Sequence, residues 1–234
     1  MTTSLFELFK IGIGPSSSHT VGPMLAAWRF VQNLEANALL ERTVSVKVEI
    51  YGSLALTGHG HATDKALCLG LMGHLPSKIN PDIIPQLLEK MRLQKKLLLF
   101  AHHEIEFDEQ TDLIFKFGEF LEQHPNALIF KAFDCNHAQL FEKTYYSIGG
   151  GFVMDQDEMD QGEVFASSNQ SFAYPFNNAK ELLQLCETHQ MTIAQIMFEN
   201  EKSLRHESEI IKEIDLIITA MESSIERGLS TDGV

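Results

Sequence analysis

No C-x-x-C pair, no apolar run of bilayer length and no excess of basic residues occurs in this sequence, and each absence excludes a class of function. Cysteine is limited to Cys68, Cys135 and Cys186, an odd number at wide spacing. Neither a zinc ribbon nor a local iron–sulfur loop is encoded by such a pattern, and the three read as reduced, partly buried thiols. The longest apolar runs, such as KKLLLFA, are too short to span a membrane. The opening MTTSLFELFK has no basic stretch followed by an apolar one, so no export signal is expected and the cytoplasm is the default location. With 32 acidic against 18 basic residues the formal net charge is −14. A nucleic acid or an anionic membrane would want clustered Lys and Arg, so neither is an expected partner. A small anionic substrate is still open, because a few local donors can hold one carboxylate. H-E-x-x-H, G-x-S-x-G and P-loop patterns are all missing.

What is present is an ordinary globular composition, 44% hydrophobic and 21% charged over 234 residues, enough for one domain or two small ones. VGPMLAAWRFVQNLEANALLE carries apolar residues at helical spacing, with Pro23 tolerable near its start. TVSVKVEIY alternates, with Val44, Val46, Val48 and Ile50 on one face of an expected strand. LALTGHGHATDKALCLGLMG reads as a glycine-rich turn entering a helix, and NPDIIPQLLEKMR as a short helix. KKLLLF, HEIEF, DLIFKF and ALIFKAF read as four strands, and EKTYYSIGGGFVM as another strand running into three glycines. Residues from about 155 to 176 read as a long polar loop, with DQDEMDQGE solvated because it lacks calcium-loop spacing. Helices follow, one of them opened by a Thr192–Gln195 capping box. The class is therefore α+β, a mixed or antiparallel sheet with flanking helices followed by C-terminal helices. Residues 1–155 are expected to form the sheet-containing core. Residues 156–226 add a connecting loop and helices of the same domain. Residues 227–234, RGLSTDGV at the close, look like the start of a linker cut short.

Three glycine-and-polar clusters are the candidate sites: GPSSSHT, GSLALTGHGHATD and YYSIGGGF. Free N–H groups at a helix start attract anions and serine hydroxyls add donors, so GPSSSHT can cradle a carboxylate or phosphate. Equally, Ser17 or Ser18 can simply cap the helix, and on these residues alone both readings stand. His59 and His61 point apart if extended; in a turn one can act as a general base while the other is structural. Asp64 can orient an imidazole or cap the next helix. The triple glycine at 149–151 demands a close approach or a sharp bend, and of Tyr145 and Tyr146 one is expected to pack in the sheet.

FKIGIGPSSSHTVGPMLAA, YGSLALTGHGHATDKALCLGLMG, HPNALIFKAFD and EKTYYSIGGGFV, with AYPFNNAKELL and ERGLSTDG, together resemble the N-terminal β domain of bacterial iron–sulfur-dependent L-serine dehydratases. That resemblance implies the serine dehydratase β (allosteric substrate-binding) fold and a lyase converting L-serine to pyruvate and ammonia. In the family one iron of a [4Fe–4S] cluster acts as a Lewis acid on the substrate hydroxyl, and a base removes the α-proton. It implies that Ser16, Ser17, Ser18, His19 and Thr20 hold the substrate carboxylate, that His61 is the base, with His19 a second catalytic residue, and that Thr63 and Asp64 support the loop. Ser147, Gly149 and Gly150 would close the opposite wall. The cluster cysteines come from a separate α domain in the family, in the same chain or as another subunit, so no metal ligand is expected here and this chain alone should be inactive. A homodimer is also implied. Asn136 and His137 depart from the family's glycine-containing turn. A rival reading is a non-catalytic allosteric module binding serine or another small carboxylate, as in the similar domain of some phosphoglycerate dehydrogenases; a purely structural dimerisation domain comes third.

Overall fold

LFEL forms a single helical turn, α1 (Leu5–Leu8), opened by a Ser4–Glu7 capping box, in a computed structural model of the chain that describes residues 2–161 and 171–232. The backbone divides into two compact units, Gly12–Glu163 and Met1–Ile11 with Val164–Val234.

The first of these is built on a five-stranded sheet. Helix α2 (Gly22–Ala36) starts with Pro23 in its first turn, where a missing N–H costs nothing. Strand β1 (Ser45–Tyr51) pairs in parallel with β4 (Leu113–Lys116) and antiparallel with β5 (Ala127–Phe133). Strands β6 (Gln139–Gly149) and β7 (Phe152–Asp155) complete the order β4-β1-β5-β6-β7. Period-two alternation puts Val46, Val48, Ile50, Leu128, Phe130 and Tyr145 into the core. Against them α2 buries Met24, Ala27, Phe30, Val31 and Leu34 at three- and four-residue spacing. Phe30 stacks on Phe130 at 5.1 Å and Phe141 at 5.7 Å, and a buried side chain of this size contributes about 1.5–3 kcal/mol.

Helix α3 (Gly52–Thr57) follows β1, and α4 (Thr63–Leu71) packs along α2. Their closeness depends on Gly70, where a Cβ would overlap the Met24 carbonyl. Helix α5 (Ile84–Gln94) leads to a separate antiparallel pair, β2 (Lys96–Leu99) and β3 (His103–Glu106), and the turn α6 (Glu109–Asp112) precedes β4. A last turn, α7 (Gln156–Asp160), is tied to α2 by a two-pronged Arg29–Glu158 ion pair, and Arg29 also donates to the Val153 carbonyl of β7.

In the helical unit, Asn178 caps α8 (Ala179–His189), Thr192 and Gln195 form the expected capping box of α9 (Ile193–Lys202), and α10 runs from Glu207 to Ser230, four residues into the stretch expected as linker. The buried Glu201 carboxylate receives the Leu5 amide at 2.6 Å and the Ser4 hydroxyl at 3.1 Å. Among the described residues no helix is long and apolar enough to cross a membrane.

The α+β class with a mixed sheet, flanking helices and C-terminal helices is as expected. Three details differ. Val44 lies outside β1 and is 37% exposed: its amide still donates to the Phe133 carbonyl, but the ladder begins at Ser45, opposite Phe133 where β5 ends. The stretch EKTYYSIGGGFVM belongs to two strands, β6 and β7, joined at the glycines. The polar segment starting at 155 opens with α7, whose Asp155–Glu158 capping box supplies the local stabilisation its composition hides. The rest of the expected loop, 162–170, lies outside the described residues. His137, in the turn expected to depart from a glycine-containing one, has a φ of +59°, a conformation glycine favours.

Candidate functional site

GPSSSHT does not enter α2 by an ordinary turn. Ser16 is extended, and its Oγ accepts the His19 amide at 3.1 Å. The cap is therefore Ser16, not Ser17 or Ser18. Ser17–Val21 form a π-turn, with Val21 N donating to Ser16 O and Gly22 N to Ser17 O; such widened turns are often found at functional sites. Two glycines admit it: a Cβ at Gly14 would overlap the Thr20 side chain, and one at Gly22 would overlap Ser147 Oγ.

The second cluster lies beyond α3, where a 3₁₀ turn (Gly58–His61) leads through Ala62 into α4. Ala62 is left-handed at φ 56°, ψ 34°, a conformation costing a residue with a Cβ roughly 1–2 kcal/mol. Reciprocal cross-links pin this turn to the serine loop. Thr20 Oγ1 donates to the His61 carbonyl at 2.7 Å and Thr63 Oγ1 donates to the His19 carbonyl at 2.5 Å. The His19 and His61 rings are brought to 5.0 Å.

These rings differ in what their nitrogens meet. His61 Nδ1 lies 2.9 Å from the Thr57 carbonyl. A carbonyl only accepts, so Nδ1 carries the proton and the neutral ring keeps its lone pair on Nε2; that atom has no hydrogen-bond partner among the described residues. His19 is occupied at both nitrogens, Nδ1 by Ser18 Oγ and Nε2 by Ser53 Oγ, each at 2.8 Å. Burial lowers the His19 pKa and the nearby His61 lowers it further, against a raising contribution from the Ser53 backbone as acceptor. Ser53 lies in the first turn of α3. The sequence alone does not single it out, because a serine at a helix start reads as a cap.

His59 is stacked on Phe115 at 4.2 Å with its Nδ1 3.5 Å from Asp64 Oδ2. Asp64 thus neither caps α4 nor touches His61; its Oδ1 is buried without a hydrogen-bond partner. On the sheet side Ser147 is buried and its Oγ donates to the Ser18 carbonyl at 2.7 Å. Asn126 braces it, accepting the Ser147 amide and donating Nδ2 to the Ser147 carbonyl at 3.3 Å. Tyr145 and Tyr146 are both buried, facing opposite ways. Tyr145 OH accepts from Asn33 Nδ2, whereas Tyr146 OH reaches Gln123 and Gln156, so sheet packing claims both. Gly149, Gly150 and Gly151 have φ of 99°, 61° and 77°, and a Cβ at Gly149 would meet nothing within 4 Å. Their demand is conformational: they turn the chain from β6 into β7.

The three cysteines do not fit a [4Fe–4S] cluster. Cys68 faces the core from α4, and burial pushes its thiol far up, away from the thiolate a cluster iron needs. Cys135 is exposed between β5 and β6, and Cys186 is half-buried on α8. Among the described residues no three His, Cys, Asp or Glu side chains are grouped to hold a metal ion.

A family model described as serine dehydratase beta chain matches residues 4–158. The L-serine dehydratase of Streptomyces coelicolor is 39% identical over 234 residues, covering 100% of this chain and 51% of its own length. That of Helicobacter pylori strain 26695 is 45% identical over 203 residues, 87% of this chain and 44% of its own length. L-serine dehydratase 1 of Escherichia coli K12 is 39% identical over 232 residues, 99% and 50%. The chain spans about half the length of these curated relatives. From the serine loop to the glycine turn, the residues that build this site fall inside the matched segment, and the chain belongs to the serine dehydratase beta chain family.

Proposed function

We propose that this chain is the substrate-binding part of an L-serine dehydratase, a lyase that eliminates water from L-serine to give pyruvate and ammonia. The observation that carries the reading is the pairing of a donor-rich serine loop with an imidazole whose Nε2 is unengaged among the described residues, 5.0 Å between ring centres from His19. Ser16, Ser17 and Ser18, on the widened turn, hold the substrate carboxylate through hydroxyls and backbone N–H groups, whereas Thr20, expected among them, is buried with its hydroxyl donated to the His61 carbonyl and its amide to the Ser16 carbonyl, and braces the loop instead. Ser17 is exposed and has the least to release on binding. His61 Nε2 takes the α-proton while Nδ1–H stays on the Thr57 carbonyl, which keeps the ring aimed. His19 remains neutral and fixes the loop. Thr63 and Ser147 tie the two sides to the serine loop, and Gly149 and Gly150 turn the wall behind Ser147. Loss of the β-hydroxyl as water leaves aminoacrylate, which tautomerises and hydrolyses.

The cysteines of this chain give no place for the iron–sulfur cluster, so its ligands belong to the half of the longer relatives that this chain does not cover. Cytoplasmic location and a homodimer complete the proposal.

The test is pyruvate release from L-serine under anaerobic conditions, with that missing half supplied and the cluster reconstituted. Pyruvate is expected, and His61→Ala should slow its release by about 10²–10⁴-fold, the usual worth of a general base, with folding and cluster content unchanged. Serine binding without pyruvate, the cluster being intact, would move the chain to the non-catalytic sensor class. Near-normal turnover in His61→Ala would remove the base assignment.

A further inference from the structure

The two ring hydrogen bonds of His19 cannot be set independently. A neutral imidazole carries one N–H and one lone pair. Of the two hydroxyls 2.8 Å from its nitrogens, Ser18 Oγ at Nδ1 and Ser53 Oγ at Nε2, one therefore accepts a proton and the other donates one. The two arrangements leave different chemistry at the serine loop. With the proton on Nε2, Ser18 must spend its own O–H on Nδ1 and turns only lone pairs outward. With the proton on Nδ1, Ser18 accepts from the ring and its O–H is available to another acceptor. Nε2 then needs a donor, and Ser53 is the hydroxyl in place.

A carboxylate can only accept, so Ser18 can join the other donors of the loop in holding one only in the second arrangement. We propose that Ser53 is a positioning residue acting through His19: it donates to Nε2, holds the Nδ1–H form, and so makes Ser18 a donor to the substrate carboxylate. This rests on the reading of the serine loop as a carboxylate cradle. No proton changes owner in the relay; three hydroxyl and imidazole dipoles are aligned in one direction. The placement of Ser53 is itself built. Its amide donates to the Pro125 carbonyl at 3.3 Å, and its neighbour Gly52, at φ +58°, lies so close to that carbonyl that a Cβ there would overlap it. The first turn of α3 is thereby fixed against the segment that carries Asn126, which in turn braces Ser147.

The experiment is long-range ¹H–¹⁵N NMR on the histidine-labelled chain, which reports which nitrogen of His19 is protonated, together with calorimetric titration of L-serine. The wild-type chain should show Nδ1–H at His19. Ser53→Ala should shift the ring toward Nε2–H and weaken L-serine binding about tenfold, the worth of one hydrogen bond of about 1.4 kcal/mol. Ser53→Thr should restore both, and in a Ser18→Ala background Ser53→Ala should cost nothing further, because the effect runs through Ser18. An Nε2–H ring in the wild-type chain overturns the proposal without any variant. So does a Ser53→Ala penalty that persists undiminished in Ser18→Ala. Nδ1–H at His19 in a wild-type chain that does not bind L-serine would overturn the carboxylate cradle and leave the relay from Ser53 to Ser18 standing.

Discussion

His19 and His61 lie in contact yet are set up for different work, and the difference is measurable as protonation. Burial, the larger cause, and the neighbouring His61 both lower the His19 pKa, so His19 should titrate below the ordinary histidine value of about 6.5. His61→Ala should raise the His19 midpoint only part of the way back, since burial remains; an unmoved midpoint would show that the two rings are not electrostatically coupled. Stability carries the corresponding sign. Unfolded His19 binds its proton at a higher pH than native His19, so its contribution is present above the unfolded value and is lost as pH falls through the lower, native one. Much of this scale was legible in the sequence: the serine loop, His19, His61, Thr63 and Ser147 are the residues that meet. Ser53 and Asn126 were not, because each acts on a partner tens of residues away and neither has a motif of its own. Asp64 was legible only as an acid near two histidines; which one it faces depends on the left-handed Ala62 between them and the helix.

Among the elements, the π-turn before α2 sets the site, and it is admitted by Gly22. Gly22→Ala should destabilise the sheet unit by about 1–3 kcal/mol, the cost of overpacking, because its Cβ collides with Ser147 Oγ and breaks the Ser147–Ser18 bond. Gly60→Ala is the control. A Cβ there meets nothing within 4 Å, so the change should be neutral or stabilise by up to about 1 kcal/mol through the unfolded chain. Urea unfolding of both variants checks the pair, and equal stabilities would mean that α2 and β6 do not approach so closely. Strands and helices announced themselves through period and capping. At Val44 and at α7, where the structure departs from the expected pattern, the deciding fact was a neighbour: the extent of Phe133's strand in one case, a two-residue capping box inside a polar run in the other.

On the scale of the whole molecule the helical unit joins the first eleven residues to the last third of the chain. Ser4 and Leu5 hold the buried Glu201 carboxylate, and Arg205 lies 3.4 Å from it while its guanidinium covers the Phe6 ring at 4.6 Å. Ser4→Ala removes one hydrogen bond to that charge and the cap of α1, a loss of about 1.5–3 kcal/mol. Hydrogen exchange should therefore speed up in α9 while the strands of the sheet unit keep their protection. Equal acceleration in the strands would show that the two units unfold as one. None of this was legible beforehand: MTTSLFELFK was informative only as a missing signal, since no local pattern names a partner 196 residues away.

That separation has a consequence for synthesis. Every strand pairing of the sheet unit is closed once Asp155 has emerged, but Leu5 must wait for Glu201. At roughly 5–20 residues per second the segment around Leu5 leaves the ribosome roughly 10–40 seconds before its anchor exists. During that interval the nascent chain carries paired strands and an untethered segment with apolar Leu5 and Phe6 in view, a stretch suited to capture by a chaperone until Glu201 and Arg205 arrive to hold it.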